Sequence, residues 1–182
     1  MGRLVFITGG ARSGKNHCAE MLSRRHAGWV CYIATAVIAD GEMARRVALQ
    51  QQRPSDWSTL ECNAGLAVSL RLAAQDQDFP LVEYLTLYLA RFVPSDLSQD
   101  AALPSELEER AHQRVDDEIA TIITTVHQVA ANVIIASNEV GCRLVPRGFG
   151  MGGVVRRHLC SVGSTRAEGV YWRHRWRDLR DR

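Results

Sequence analysis

With 182 residues, 46% of them hydrophobic, and a formal net charge of only +2, the chain has the size and composition of one globular domain with a sizeable core. Its five scattered cysteines (Cys18, Cys31, Cys62, Cys142 and Cys160) form no C-x-x-C pair, which argues against a disulfide framework or a zinc site and for a reducing cytoplasm. No apolar run approaches the ~20 residues of a membrane span, and the first strand-like run begins at residue 4, leaving no room for a signal peptide.

That first run, Leu4-Val-Phe-Ile7, reads as a short buried parallel strand. Gly9-Gly10-Ala11-Arg12-Ser13-Gly14-Lys15 follows with the spacing G-x-x-x-x-G-K, and a helical stretch begins at once from Lys15 to about His26. Strand, glycine-rich loop and helix together make a phosphate loop: backbone N–H groups curl around a phosphate, the helix N-terminus adds positive potential, and the lysine neutralises the outer phosphates. Lys15 is the only lysine among 22 basic residues. A compact ammonium on a flexible stem suits a point contact in a tight loop, where the planar fork of arginine does not. The next residue is ordinarily Ser or Thr, whose hydroxyl binds Mg²⁺; here it is Asn16, whose amide oxygen reaches on a longer arm. Phosphate binding is thus better supported than metal-assisted transfer.

Trp29 to Ala34 is the second strand-like run and completes a right-handed βαβ unit. Ligands in such sheets sit beyond the carboxyl ends of the strands, so Ala34-Thr35-Ala36 belongs near the nucleotide. Asp40 can cap a helix that runs to Gln52 and is ended by Arg53-Pro54. Trp57 and Glu61 lie in a connector with a short strand, and Ala64 to Ala74 is helical in pattern. Phe79 to Glu83 is an apolar run ending in an acid, placed where a carboxylate can orient a metal or its water, although an exposed residue is equally consistent. Leu85 to Leu89 continues as an apolar helix, and the Pro- and Asp-containing residues 94–104 read as a loop. Ser105 and Glu108 have capping-box spacing, and Leu107, Ala111, Val115, Ile119, Ile122, Val126 and Val129 then mark the clearest amphipathic helix. Its acids Asp116, Asp117 and Glu118 read as a solvated face rather than a metal site. Asn132 to Ser137 is another buried strand.

The last forty residues differ in character. Residues 143–182 carry ten arginines against Glu168, Asp178 and Asp181, a balance of +7 that leaves −5 for the rest. The reading is a nucleotide-binding domain over 1–146 and a divergent, irregular, Arg-rich tail over 147–182.

In order along the chain, Gly9 to Lys15, Tyr32-Ile33-Ala34-Thr35, Asp40 with Glu42-Met43, Arg53-Pro54 with Trp57, Leu85-Thr86-Leu87 and Ser137-Asn138-Glu139-Val140-Gly141 resemble the bifunctional adenosylcobinamide kinase/adenosylcobinamide-phosphate guanylyltransferase family of cobalamin biosynthesis. The resemblance covers residues 3 to about 146. It implies an α/β, RecA-like three-layer fold with a mainly parallel sheet, a homotrimer, and two reactions with Mg²⁺. A nucleoside triphosphate, GTP or ATP, phosphorylates adenosylcobinamide; GTP then donates GMP to the product through a covalent histidine. It also implies a nucleotide site made of Gly9, Gly10, Ala11, Arg12, Ser13, Gly14, Lys15, Asn16, Ala34, Thr35, Ala36, Gln51, Gln52, Arg53, Pro54, Glu61 and Glu83, with Lys15 catalytic and Asn16 and Glu83 at the metal.

Three departures from the family pattern qualify this. The nucleophilic histidine falls at Gln50, whose amide nitrogen lone pair is delocalised and cannot attack phosphorus, and none of the six histidines lies between 40 and 52. Loss of guanylyl transfer is the resulting expectation. Asn16 and Glu83 replace Ser/Thr and Asp near the metal. After Pro146 the family's closing helix and strand give way to the Arg-rich tail, compatible with a reading-frame change near residues 141–150: Tyr171-Trp-Arg read two bases later permits Leu-Ala. A sheet without its closing strand would expose an apolar edge and lower solubility. The competing readings are another small-molecule kinase on this fold, a non-catalytic nucleotide-binding protein, and a tail that binds nucleic acid through arginine and Trp172 or Trp176. The last has no recognised nucleic-acid fold behind it, so nucleic acid is not the expected partner.

Overall fold

Alternation of side chains along the strands dictates the layering. In β1 (Leu4–Gly9), Leu4 and Phe6 join one buried cluster while Ile7 joins another. The same division separates Cys31 and Ile33 from Val30 and Tyr32 in β2 (Val30–Ala34), and Val133 and Ile135 from Ile134 and Ala136 in β5 (Val133–Asn138). A sheet apolar on both faces must be covered on both. The computed structural model describes residues 2–10, 13–25, 29–35, 56–62, 64–76, 79–92, 105–138 and 168–171. Among these, α1 (Lys15–Arg25) packs on one face, across β1, β4 (Phe79–Glu83) and β5. On the other face lie α2 (Leu66–Asp76), α3 (Leu85–Ala90) and the 24-residue α4 (Ser105–Gln128).

The sheet is parallel throughout its described pairings, with strand order β3-β2-β4-β5-β1-β6, where β3 is Ser58–Glu61 and β6 is Glu168–Tyr171. The α/β three-layer expectation therefore stands, and most element boundaries fall within two residues of those read from the pattern. The periodic positions of α4 behave as expected, with Ala111, Val115, Ile119, Ile122 and Val126 buried. Asp116 and Asp117 face solvent, but Glu118 does not belong to that solvated face: it is half-buried and accepts a hydrogen bond from the Tyr88 hydroxyl at 2.5 Å.

The tail is a second correction, because it is not irregular throughout. Glu168–Tyr171 adds a strand to the free side of β1, with Val5 opposite Glu168 and Thr8 opposite Tyr171. Parallel pairing needs only a short extended segment and an unpaired edge, and β1 offered one. The helix read over 40–52, the loop at 94–104, the domain boundary at 146 and the suspected frame change at 141–150 lie outside the described residues. Among the described residues no helix is long and apolar enough to cross a membrane. Cys18, Cys31 and Cys62 are free thiols whose pKa values burial raises, so they serve as packing groups.

Candidate functional site

Every described strand from β1 to β5 ends at the same edge of the sheet because all run parallel, and that edge gathers the polar residues singled out in the sequence. Ala34 pairs with both Glu61 and Glu83, Glu83 pairs with Ala136, and Gly9 pairs with Asn138. Residues separated by more than a hundred positions thus form one rim beyond the strand ends, the place where open parallel sheets bind ligands.

The loop after β1 is built on the carbonyl of Gly10. It accepts the backbone N–H of Ser13 at 3.3 Å and the ammonium of Lys15 at 3.4 Å. Gly14 then takes φ +84°, a left-handed conformation that disfavours any residue with a Cβ, and its carbonyl accepts the N–H of Cys18 at 2.9 Å to start α1. The loop therefore ends at a helix N-terminus, the end of a helix that favours an anion. Lys15 is buried, and burial lowers its pKa, with the Glu83 carboxylate pulling the other way. Glu83 is itself fully excluded from solvent. Its charge and that of Lys15 support each other across the rim.

Asn16 follows, and its side chain is held in one direction. Its Nδ2 donates to the Tyr84 hydroxyl at 2.8 Å, while its Oδ1 is buried without a hydrogen-bond partner among the described residues. Tyr84 is the residue immediately after Glu83 and has φ 64° and ψ 65°, the left-handed region in a residue with a large side chain. Such a conformation costs about 1–3 kcal/mol and persists only where neighbours hold it. Here the Tyr84 N–H donates to the Ala136 carbonyl at 3.2 Å, and the Thr35 hydroxyl donates to the backbone carbonyls of Glu83 and Tyr84.

Residues 5–159 match the family described as cobinamide kinase / cobinamide phosphate guanyltransferase. The chain belongs to that family. It is 36% identical over 159 residues to the bifunctional adenosylcobalamin biosynthesis protein CobP of Pseudomonas aeruginosa, covering 87% of this chain and 82% of that protein. It is 34% identical over 145 residues to the protein of the same description, CobU, from Salmonella typhimurium, covering 79% of this chain and 78% of the relative. CobU of Escherichia coli matches to the same extent.

Within this family member, the structure brings together Gly9, Gly10, Ser13, Gly14, Lys15, Asn16, Ala34, Thr35, Glu61 and Glu83 at one rim. Ala11, Arg12, Ala36, Gln50, Gln51, Gln52, Arg53 and Pro54 lie outside the described residues. The sequence reading missed Tyr84. A tyrosine after a strand-end acid carries no pattern, and a left-handed non-glycine residue is set by tertiary contacts rather than by local preference. Thr35 was singled out for its position, and its hydroxyl also donates to the turn after β4.

A hard cation takes oxygen ligands, and Mg²⁺ in nucleotide sites uses one or two protein oxygens together with the phosphates and water. The Oδ1 of Asn16, buried with no hydrogen-bond partner among the described residues, and the buried carboxylate of Glu83 supply oxygens of that class. The residues present fit the cation that the family implies.

Proposed function

We propose that this chain phosphorylates adenosylcobinamide with GTP or ATP in cobalamin biosynthesis, as the kinase half of the activity described for its family. The observation that carries the reading is the loop from Gly10 to Lys15, closed on one carbonyl and opening onto a helix N-terminus, in a chain whose match to the family spans residues 5–159. Gly9 to Asn16, with Ala34, Thr35, Ala36, Gln51 to Pro54, Glu61 and Glu83, form the proposed nucleotide site. Lys15 neutralises the phosphates and is the proposed catalytic residue. Asn16 and Glu83 would hold Mg²⁺, which would supply charge neutralisation to the transferring phosphoryl group. The backbone donors of the loop and the Lys15 ammonium orient the chain of phosphates, and the dry floor around Glu83 strengthens both.

Gln50 stands where the family's histidine nucleophile falls, so GMP transfer through a covalent enzyme intermediate is not part of the proposed activity. The resemblance further supports a homotrimer, and the scattered free cysteines support a cytoplasmic protein.

The test is a product assay by mass spectrometry with purified protein, adenosylcobinamide, GTP and Mg²⁺. Adenosylcobinamide phosphate is expected with the wild type and is expected to be lost in Lys15→Ala. No adenosylcobinamide-GDP and no guanylylated protein are expected. Folded wild-type protein that yields no phosphorylated product would overturn the kinase reading; a covalent guanylyl adduct would overturn the assignment at Gln50.

A further inference from the structure

We propose that Tyr84 is a positioning residue that fixes the Asn16 amide so that its Oδ1 faces the nucleotide-bound cation, replacing the hydroxyl ligand of an ordinary phosphate loop. The inference rests on the proposed Mg²⁺–nucleotide reading of the site and deepens it.

A hydroxyl after the loop lysine is short and can both donate and accept, so it needs no orienting partner. A carboxamide is different. It has one donating and one accepting end on a longer arm, and only one rotamer of the amide puts oxygen toward a cation. A cation selects the oxygen end, and the nitrogen end then needs a fixed partner that can accept. In this chain the Tyr84 hydroxyl accepts Nδ2 at 2.8 Å, and the opposite end, Oδ1, lies buried with no protein donor among the described residues. Tying down the nitrogen thus aims the oxygen, as outer partners commonly do for metal-binding side chains.

The backbone at Tyr84 shows how the ring reaches α1 from the end of β4. Left-handed φ and ψ of 64° and 65° turn the chain immediately after Glu83. Thr35 from the end of β2 and Ala136 from β5 hold that turn by hydrogen bonds. A strained conformation braced from two neighbouring strands beside the phosphate loop is structure maintained for placement. The same turn sets the buried Glu83 carboxylate and the Tyr84 hydroxyl on consecutive residues, so one piece of backbone fixes both the carboxylate proposed for the cation and the hydroxyl that orients Asn16.

The experiment measures GTP affinity with and without Mg²⁺, by calorimetry, for wild type, Tyr84→Phe, Asn16→Ser and the double variant, with thermal melting to establish folding. Tyr84→Phe removes the acceptor and keeps the ring. It is expected to cut the Mg²⁺-dependent gain in GTP affinity by about fivefold, the worth of one hydrogen bond, and to leave metal-free GTP affinity near the wild-type value. Asn16→Ser needs no orientation, so the double variant is expected to match Asn16→Ser alone. The proposal is overturned if Tyr84→Phe leaves the Mg²⁺ gain intact, or if it weakens GTP equally with and without Mg²⁺, since the amide would then donate to phosphate. It is also overturned if Tyr84→Phe costs as much in the Asn16→Ser background as in the wild type, which would make Tyr84 a general support of the fold. Absence of any Mg²⁺ gain in the wild type overturns it as well. Failure to phosphorylate adenosylcobinamide, with these binding results as expected, would overturn the kinase reading alone.

Discussion

Lys15 carries its charge at a cost in this fold. Burial lowers its pKa below the ordinary 10.5, and Glu83 offsets part of that shift. Between the lowered folded value and 10.5, the unfolded chain holds more of the lysine proton than the folded chain, so the stability of the nucleotide-free protein rises with pH across that window. A polyphosphate reverses the preference by favouring the ammonium. Its binding is therefore expected to take up protons in the same window and to weaken as pH climbs toward 10.5. Inorganic triphosphate is the better probe, because guanine itself titrates in alkali. Calorimetry in buffers of different ionisation enthalpy is expected to show more proton uptake by the wild type than by Lys15→Met, which reports the ligand's own titration alone. An affinity that stays flat through the window would place the Lys15 ammonium away from the phosphates.

Among the elements, α2, α3 and α4 are locked to each other by one phenol. Tyr88 of α3 accepts the N–H of Leu66, the first residue of α2, at 2.9 Å and donates to Glu118 of α4 at 2.5 Å. The first N–H groups of a helix lack intrahelical partners, so the hydroxyl does for α2 what a capping side chain does elsewhere. Gly65, at φ +102°, brings the chain into that position. Tyr88→Phe keeps the ring, including its packing against Phe92 at 5.5 Å and beneath Arg91 at 5.6 Å, but orphans a buried donor. A loss of about 1–3 kcal/mol is expected, read as a lower denaturant midpoint with unchanged slope. Burial first, and then Glu118, raise the Tyr88 pKa. The hydroxyl's stabilising contribution is therefore complete below the ordinary tyrosine value of 10.0 and declines as pH rises beyond it, so the gap between wild type and Tyr88→Phe is expected to narrow in alkali.

These ties also show where sequence reasoning stops. Strands β1 to β5, α1, α4 and the phosphate loop were legible because period-two and period-3.6 patterns and the G-x-x-x-x-G-K spacing are local. The rim formed by Gly9, Ala34, Glu61 and Glu83 followed from parallel strands ending together. Tyr84 and Glu118 were not legible. Each is polar, sits where a solvent-facing residue would be unremarkable, and takes its role from a partner at least thirty positions away. Strand β6 was missed for a related reason: Glu168-Gly-Val-Tyr171 contains a glycine and a single β-branched residue, and the edge of β1 supplies what local preference lacks.

For the whole molecule, β6 decides whether the phosphate loop rests on an interior strand or an edge strand. With Glu168–Tyr171 in place, β1 is paired on both sides, by β5 and by β6. Without β6, one row of β1 backbone groups would be unpaired beside Phe6 and Ile7, a template for pairing between chains. The Arg-rich character of the tail does not prevent this role, because four residues in extended conformation suffice for the ladder. A chain stopped before Glu168 is therefore expected to shift from a discrete oligomer, proposed to be a trimer, to heterogeneous aggregates in light scattering. The fraction that remains dispersed is expected to bind GTP more weakly, since Gly9 and Gly10 lie at the end of the strand that lost its neighbour. If the shortened chain keeps the mass distribution and GTP affinity of the full chain, the pairing of β6 with β1 contributes nothing to either, and the loop is held by β5 and α1 alone.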